Sequence, residues 1–187
     1  MTRTQYYTAT SIDGFIADPD NSLEWLFALR QSEAGQQEYP TFIAEVGALA
    51  MGSTTYEWIY DFEKLAEHPE KWPYEQPTWV FTSRSLPTVA GADIRFVSGD
   101  VRPVHAQLVE AATGRNVWIV GGGDLVGQFA DAGLLDDIFL GVGSVFLGGG
   151  APLLPRRITP PRLRLVSAVP DGEDFVSLHY EVVQPPE

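Results

Sequence analysis

The chain has 187 residues, 44% hydrophobic and 20% charged, which are the proportions of a soluble globular protein with enough length for one full core. Twelve Lys and Arg face 25 Asp and Glu, and the resulting net charge of −13 argues against nucleic acid as the main partner, because phosphate binding needs a basic face. Cysteine is absent, which excludes disulfide scaffolds, thiolate metal sites and cysteine nucleophiles, and no run reaches the roughly 18 apolar residues that cross a bilayer.

Residues Gln5 to Ala9 are β-prone, and Ser11-Ile12-Asp13-Gly14 reads as a turn. Phe15 to Ser22 is loop-like. Helical spacing covers Tyr39 to Val46, with Phe42, Ile43 and Val46 on one face. Ala48 to Met51 reads as a buried strand closed by Gly52, after which Ser53 or Thr54 can cap a helix carrying Tyr56, Ile59 and Tyr60. Glu67 to Pro77, with three prolines and two aromatics, reads as an exposed loop. Thr78 to Thr82 and Ile94 to Val97 are strand-like, and Val101 to Thr113 is a helix stopped by Gly114. Val117 to Val120 is a strand from which Gly121-Gly122-Gly123 opens a helix through Leu125, Phe129 and Leu134. Ile138 to Val142 is a further strand. Leu163 to Val169 and Phe175 to Val182 form a hairpin around Pro170-Asp171-Gly172. This order predicts a three-layer α/β/α domain over residues 1–187, on a mostly parallel mixed sheet with an antiparallel C-terminal edge.

Three strand ends carry candidate chemistry. At Val120-Gly121-Gly122-Gly123-Asp124-Leu125, glycines let a ligand approach the backbone while a helix N-terminus offers free N–H groups. That combination suits a dinucleotide diphosphate, and it equally suits a tight strand-to-helix turn. Met51-Gly52-Ser53-Thr54-Thr55-Tyr56 repeats the arrangement, with simple helix capping as its plainer explanation. Phe81-Thr82-Ser83-Arg84 places a hydroxyl and a guanidinium beyond a third strand. Arg84 there can pair with a 2′-phosphate or be an ordinary surface arginine. Ligands in open sheets bind outside the carboxyl ends of the strands, so the three ends together are more informative than any one.

In order, Tyr7-Thr8-Ala9-Thr10-Ser11-Ile12-Asp13-Gly14-Phe15-Ile16-Ala17, Met51-Gly52-Ser53-Thr54-Thr55-Tyr56-Glu57, Val120 to Gly123, Leu134 to Ile138, Phe146 to Gly150 and Leu178-His179-Tyr180 resemble the dihydrofolate reductase-like superfamily. More closely, they resemble the branch holding the C-terminal reductase domain of the bifunctional riboflavin deaminase-reductase. The resemblance implies NADPH as cofactor and hydride transfer to a pterin-like or ribosylaminopyrimidine-like substrate. The opening Met1 to Tyr6, without the apolar run of a signal peptide, and the lack of a spanning run lead us to expect a cytoplasmic protein, and a homodimer is one expected assembly. Carried over residue by residue, Gly52, Ser53, Thr54 and Thr55 lie at the cofactor phosphates, and Ser83 and Arg84 at the adenosine 2′-phosphate. Gly121, Gly122, Gly123, Asp124 and Leu125 follow the diphosphate, and Ala9 and Ile16 border the nicotinamide. Ser53 stands where the family pattern often has arginine, which removes one phosphate partner and puts the preference for NADPH partly on Arg84.

Hydride transfer to a C=N bond needs a proton source. The resemblance implies an acid on the helix before the strand that here ends at Gly52, as in classical dihydrofolate reductases; the nearest carboxylate to that place is Glu38, which before Tyr39-Pro40 can equally be a helix-start acid. Asp13 is the second candidate, with turn formation as its other role. The three histidines stand apart in the sequence and suggest no metal cluster. The competing readings are a reductase of an unrelated carbonyl or flavin-like substrate on the same cofactor site, and a nucleotide-binding module without catalysis.

Overall fold

The computed structural model describes residues 1–160 and 162–183. Its centre is an eight-stranded sheet. In chain order the strands are β1 (Thr4–Ser11), β3 (Val46–Gly52), β4 (Thr78–Phe81), β5 (Ile94–Val97), β6 (Asn116–Gly121), β7 (Asp137–Gly143), β9 (Leu163–Asp171) and β10 (Phe175–Val182). In space they run β5-β4-β3-β6-β1-β7-β10-β9. The first six in that order are parallel, and β10 and β9 close the sheet antiparallel. The sequence pattern anticipates this architecture.

Side-chain alternation along the strands assigns the two faces. Tyr6, Ala48, Ala50, Val117 and Ile119 point to helices α4 (Val101–Ala112) and α5 (Gly123–Asp131), where Leu108, Val126 and Phe129 complete a core. Tyr7, Val46, Leu49 and Trp118 point the other way, to Phe42 and Ile43 of α2 (Glu33–Ala44). Met51 and Val80 meet Tyr56 and Ile59 of α3 (Ser53–Phe62).

Several local expectations are corrected. Helix α2 begins at Glu33, not Tyr39, because Ser32 is its cap: the Ser32 hydroxyl accepts from Gly35 N–H at 3.0 Å. Pro40 therefore sits inside the helix. The cap of α3 is Gly52 rather than Ser53 or Thr54, and no side chain caps that end. The loop before α2 contains a short helix α1 (Glu24–Phe27) and a strand β2 (Phe15–Ala17) paired with β8 (Ala151–Pro152). The segment 67–77 is not simply exposed. It holds a 3-10 turn at Pro69–Lys71, and Trp72 and Tyr74 pack against the α3 core. Helix α5 stops at Asp131, three residues short of Leu134.

Candidate active site

A cleft of about 440 Å³ opens at the carboxyl ends of the central strands β3, β6 and β1. Its floor is the turn Gly121-Gly122-Gly123-Asp124. One wall carries Thr54, Thr55, Trp58 and Ile59 of α3, and the opposite side carries Ile16, Ala17, Ala151 and Pro152 of the small β2–β8 ribbon. Thr8, Asn21, Leu23 and Tyr74 complete it.

Two helices begin at this cleft without a capping side chain. Gly122 is the N-cap of α5 and Gly52 that of α3, so the first N–H groups of each have no intrahelical acceptor. Gly122 adopts φ +70°, and a Cβ built on it meets nothing within 4 Å. Its neighbour differs: a Cβ on Gly123 falls 2.3 Å from the Pro152 carbonyl oxygen, so there glycine is required by packing. A Cβ on Gly121 would lie 3.0 Å from Thr55 Oγ1, which places the end of β6 against the first turn of α3. This open backbone cradle between two uncapped helix N-termini fits a diphosphate.

The charges around it are already paired. Asp124 in the first turn of α5 is held below the usual carboxylate range by Gln128 and then Arg156, which also binds Asp131 at 2.7 Å. Arg84 is half-exposed and grips Glu57 through both terminal nitrogens, at 3.0 and 2.6 Å. A phosphate reaching Arg84 must share it with that carboxylate.

The structure thus brings together Ile16, Thr54, Thr55, Gly121, Gly122, Gly123 and Asp124. Ala9 does not line the cleft, because strand alternation turns its predecessor Thr8 inward instead. Gly52 and Ser53 sit at the helix start just behind the lining, and Ser83 and Arg84 lie outside it. The Leu125 side chain is buried in the α5 core, so only its backbone N–H can serve a ligand.

Both proposed proton donors are misplaced. Glu38 is an exposed residue of α2, where Ser177 donates to it at 2.9 Å, and it lines a separate groove against β7, β9 and β10. Its sequence position suggested otherwise because the helix was expected to start beside it. Asp13 accepts from the Ser11 hydroxyl at 2.6 Å and from the backbone N–H groups of Leu147 and Gly148 at 3.1 and 2.7 Å. These bonds, the Ser11 contact first, hold its pKa below the ordinary aspartate value. Asp13 is ionised at neutral pH and ties the turn after β1 to the 147–148 loop; it has no proton to give.

Sequence reasoning missed Thr8, Asn21, Leu23, Trp58 and Tyr74. Trp58 had a usable signal, since positions 54, 55, 58 and 59 share one helix face. Tyr74 had none, because its approach to the cleft depends on tertiary packing between Trp72 and Trp118.

Comparison with known proteins identifies the fold and the family. The RibD C-terminal domain profile matches residues 4–177. The chain is 31% identical over 179 residues to the uncharacterized protein YwjB of Bacillus subtilis strain 168, covering 95% of this chain and 97% of that one. A Shewanella sp. PV-4 structure provisionally assigned to riboflavin biosynthesis superposes with TM-score 0.82 at 23% identity, over 98% of this chain and all of the other. Dihydrofolate reductase from Enterococcus faecalis, solved with NADP(H), gives 0.63 at 14% identity over 97% of each chain. The chain matches 57% of the Thermotoga maritima diaminohydroxyphosphoribosylaminopyrimidine deaminase/5-amino-6-(5-phosphoribosylamino)uracil reductase, with TM-score 0.64 and 15% identity. The fold is that of the dihydrofolate reductase-like superfamily, and the chain belongs to the RibD C-terminal domain family.

Proposed function

We propose that this protein is an NADPH-dependent reductase that delivers a hydride to a nitrogen heterocycle of the pterin or ribosylaminopyrimidine class. The observation that carries the reading is the cradle at Gly122: positive φ, open space where a side chain would stand, and two uncapped helix N-termini at one cleft. The backbone N–H groups of Gly123, Asp124 and Leu125 would hold one phosphate of the dinucleotide and those of Thr54 and Thr55 the other. Arg156, bridging Asp124 and Asp131, offsets the carboxylate at that end. Ile16 and Ala17 would border the nicotinamide, with Thr8 beneath it.

When bound, the cofactor supplies a hydride from C4 of its nicotinamide. The chain's part is to orient the ring and narrow the access of water. Asp124 is the one carboxylate among the described lining residues, and it is tied up at the diphosphate end. Water entering beside Thr8 and Asn21 is therefore the proposed proton source.

A homodimer is supported by β9, which is exposed from Leu163 to Pro170 and carries Leu165, Val166 and Val169, each more than half exposed, on a free sheet edge. Among the described residues no helix is long and apolar enough to cross a membrane, and no group of three His, Asp or Glu is placed to hold a metal. NADPH oxidation followed at 340 nm with dihydropterins and ribosylaminopyrimidines tests the proposal. No turnover with any of them, together with no NADPH binding, would refute it.

A further inference from the structure

Beside the Gly121–Asp124 turn, Thr54, Thr55 and the β2–β8 ribbon, the cleft has a second set of lining residues: Trp58, Tyr74, Thr8, Asn21, Leu23, Ile59 and Val120. None of these carries a charge.

The aromatic pair is braced. Trp58 stacks on Phe62 with centroids 4.6 Å apart and planes at 15°, and Phe27 of α1 extends the stack against Phe62 at 5.6 Å and 22°. Tyr74 is held edge-on by Trp72 at 5.3 Å and 84° and by Trp118 at 5.7 Å and 88°. Its hydroxyl makes no hydrogen bond to any described residue, unlike the hydroxyls of Tyr6 and Tyr56, which donate to the Leu153 and Pro87 carbonyls. Burial, and then Tyr39, push the Tyr74 pKa well up, so the phenol keeps its proton as a donor. A fixed aromatic face and an unused O–H among the lining residues of one cleft suit a planar ring that bears a carbonyl.

Cations are missing from this lining. All twelve Lys and Arg lie within the described residues, and none lines the cleft. Arg3, Arg84, Arg95, Arg102, Arg156 and Arg164 are each paired with a carboxylate. Arg157 is exposed, two residues beyond the lining residue Pro155. A phosphate ester carries about two negative charges, and in a protein of net charge −13 it needs a cation or free helix N-terminal N–H groups; the latter are committed to the cofactor diphosphate, and no cation lines the cleft for a second phosphate.

Resting on the reductase reading above, we infer that the substrate is an uncharged planar heterocycle without a phosphate, stacked on Trp58 and hydrogen-bonded through a ring carbonyl by the Tyr74 hydroxyl. Trp58 and Tyr74 are then the specificity-determining residues of this chain.

The test is calorimetric titration of the full chain, with and without saturating NADP+. The probes are 5-amino-6-ribitylaminouracil, its 5′-phosphate, and lumazine as a second uncharged ring. We expect the uncharged pyrimidine to bind at least about tenfold more tightly than its phosphate ester. Tyr74→Phe should weaken it by about three- to tenfold, the loss of one hydrogen bond. Trp58→Leu should weaken it further. NADP+ affinity should stay within about twofold in Tyr74→Phe, because the diphosphate contacts assigned above are backbone N–H groups of other residues. If Trp58→Leu fails to fold, Tyr74→Phe alone decides. Equal or tighter binding of the phosphate ester overturns the inference, as does an unchanged affinity in Tyr74→Phe or no binding of either uncharged ring. Failure to bind NADP+ with the ring preference intact would count against the reductase reading and leave this inference standing.

Discussion

Gly122→Val separates a ligand cradle from a mere turn. The residue sits at φ +70°, ψ 115°, a conformation that costs an L-residue about 1–3 kcal/mol. Steric clash adds nothing, because no atom lies within 4 Å of the Cβ position. In a chain of this size that strain lowers Tm by about 2–4 °C per kcal/mol, leaving a folded protein at room temperature. The branched side chain would then occupy the space into which the diphosphate must come, so NADPH affinity should fall by more than about 100-fold, the loss of two charge-assisted backbone hydrogen bonds. Gly123→Ala is the control. Its methyl would strike the Pro152 carbonyl at 2.3 Å, so folding should fail before binding can be judged. Circular dichroism melts and calorimetric NADPH titration on the same samples read both effects. A folded Gly122→Val protein with native NADPH affinity would refute the cradle.

Other substitutions probe the remaining assignments. Glu38→Gln should leave turnover nearly unchanged, whereas removing a true general acid costs about 10²–10⁴-fold; steady-state rates distinguish the two. Arg84→Ala should reduce the preference for NADPH over NADH by only about two- to fivefold, since the guanidinium is half-exposed and shared with Glu57; paired dissociation constants check this. Asp137 is buried, which raises its pKa, but hydrogen bonds from Arg3, His179 and Gln5 more than offset this and hold it below the ordinary value. Its contribution is therefore complete above the unfolded pKa of about 3.9 and is lost as pH falls through the lower folded value. Arg3→Ala should cost about 2 kcal/mol in urea unfolding at pH 7, with a smaller loss near pH 3. Leu165→Lys with Val166→Lys should convert a β9-paired dimer to monomer in light scattering, and a native chain that is already monomeric would contradict that interface.

The order of elements was legible because each strand is a short apolar run closed by a turn or glycine, and the helices from Val101 and from Gly123 carry clear periodicity. The Gly121–Asp124 turn and the start of α3 that line the cleft were legible for the same reason, as glycine- and hydroxyl-rich strand ends are local signals. The aromatic lining was less so. Trp58 shares a helix face with Thr54 and Thr55, a signal that core packing would give as well, and Tyr74 reaches the cleft only because Trp72 and Trp118 clamp its ring. Pro40 misled most. Proline signals a first helical turn, but the Ser32 cap, fixed by the remote Asp171, starts α2 two turns earlier and carries Glu38 away from the chemistry.

A crystal structure of the chain soaked with NADPH tests the central claim most directly. The account predicts the diphosphate between the N-termini of α3 and α5, within hydrogen-bond distance of the backbone at Gly123 to Leu125 and at Thr54 and Thr55. The nicotinamide should lie against Ile16 and Thr8, with its C4 open toward Trp58 and Tyr74. A dinucleotide seated elsewhere, for example in the groove beside Glu38, or no bound dinucleotide at millimolar concentration, would contradict it.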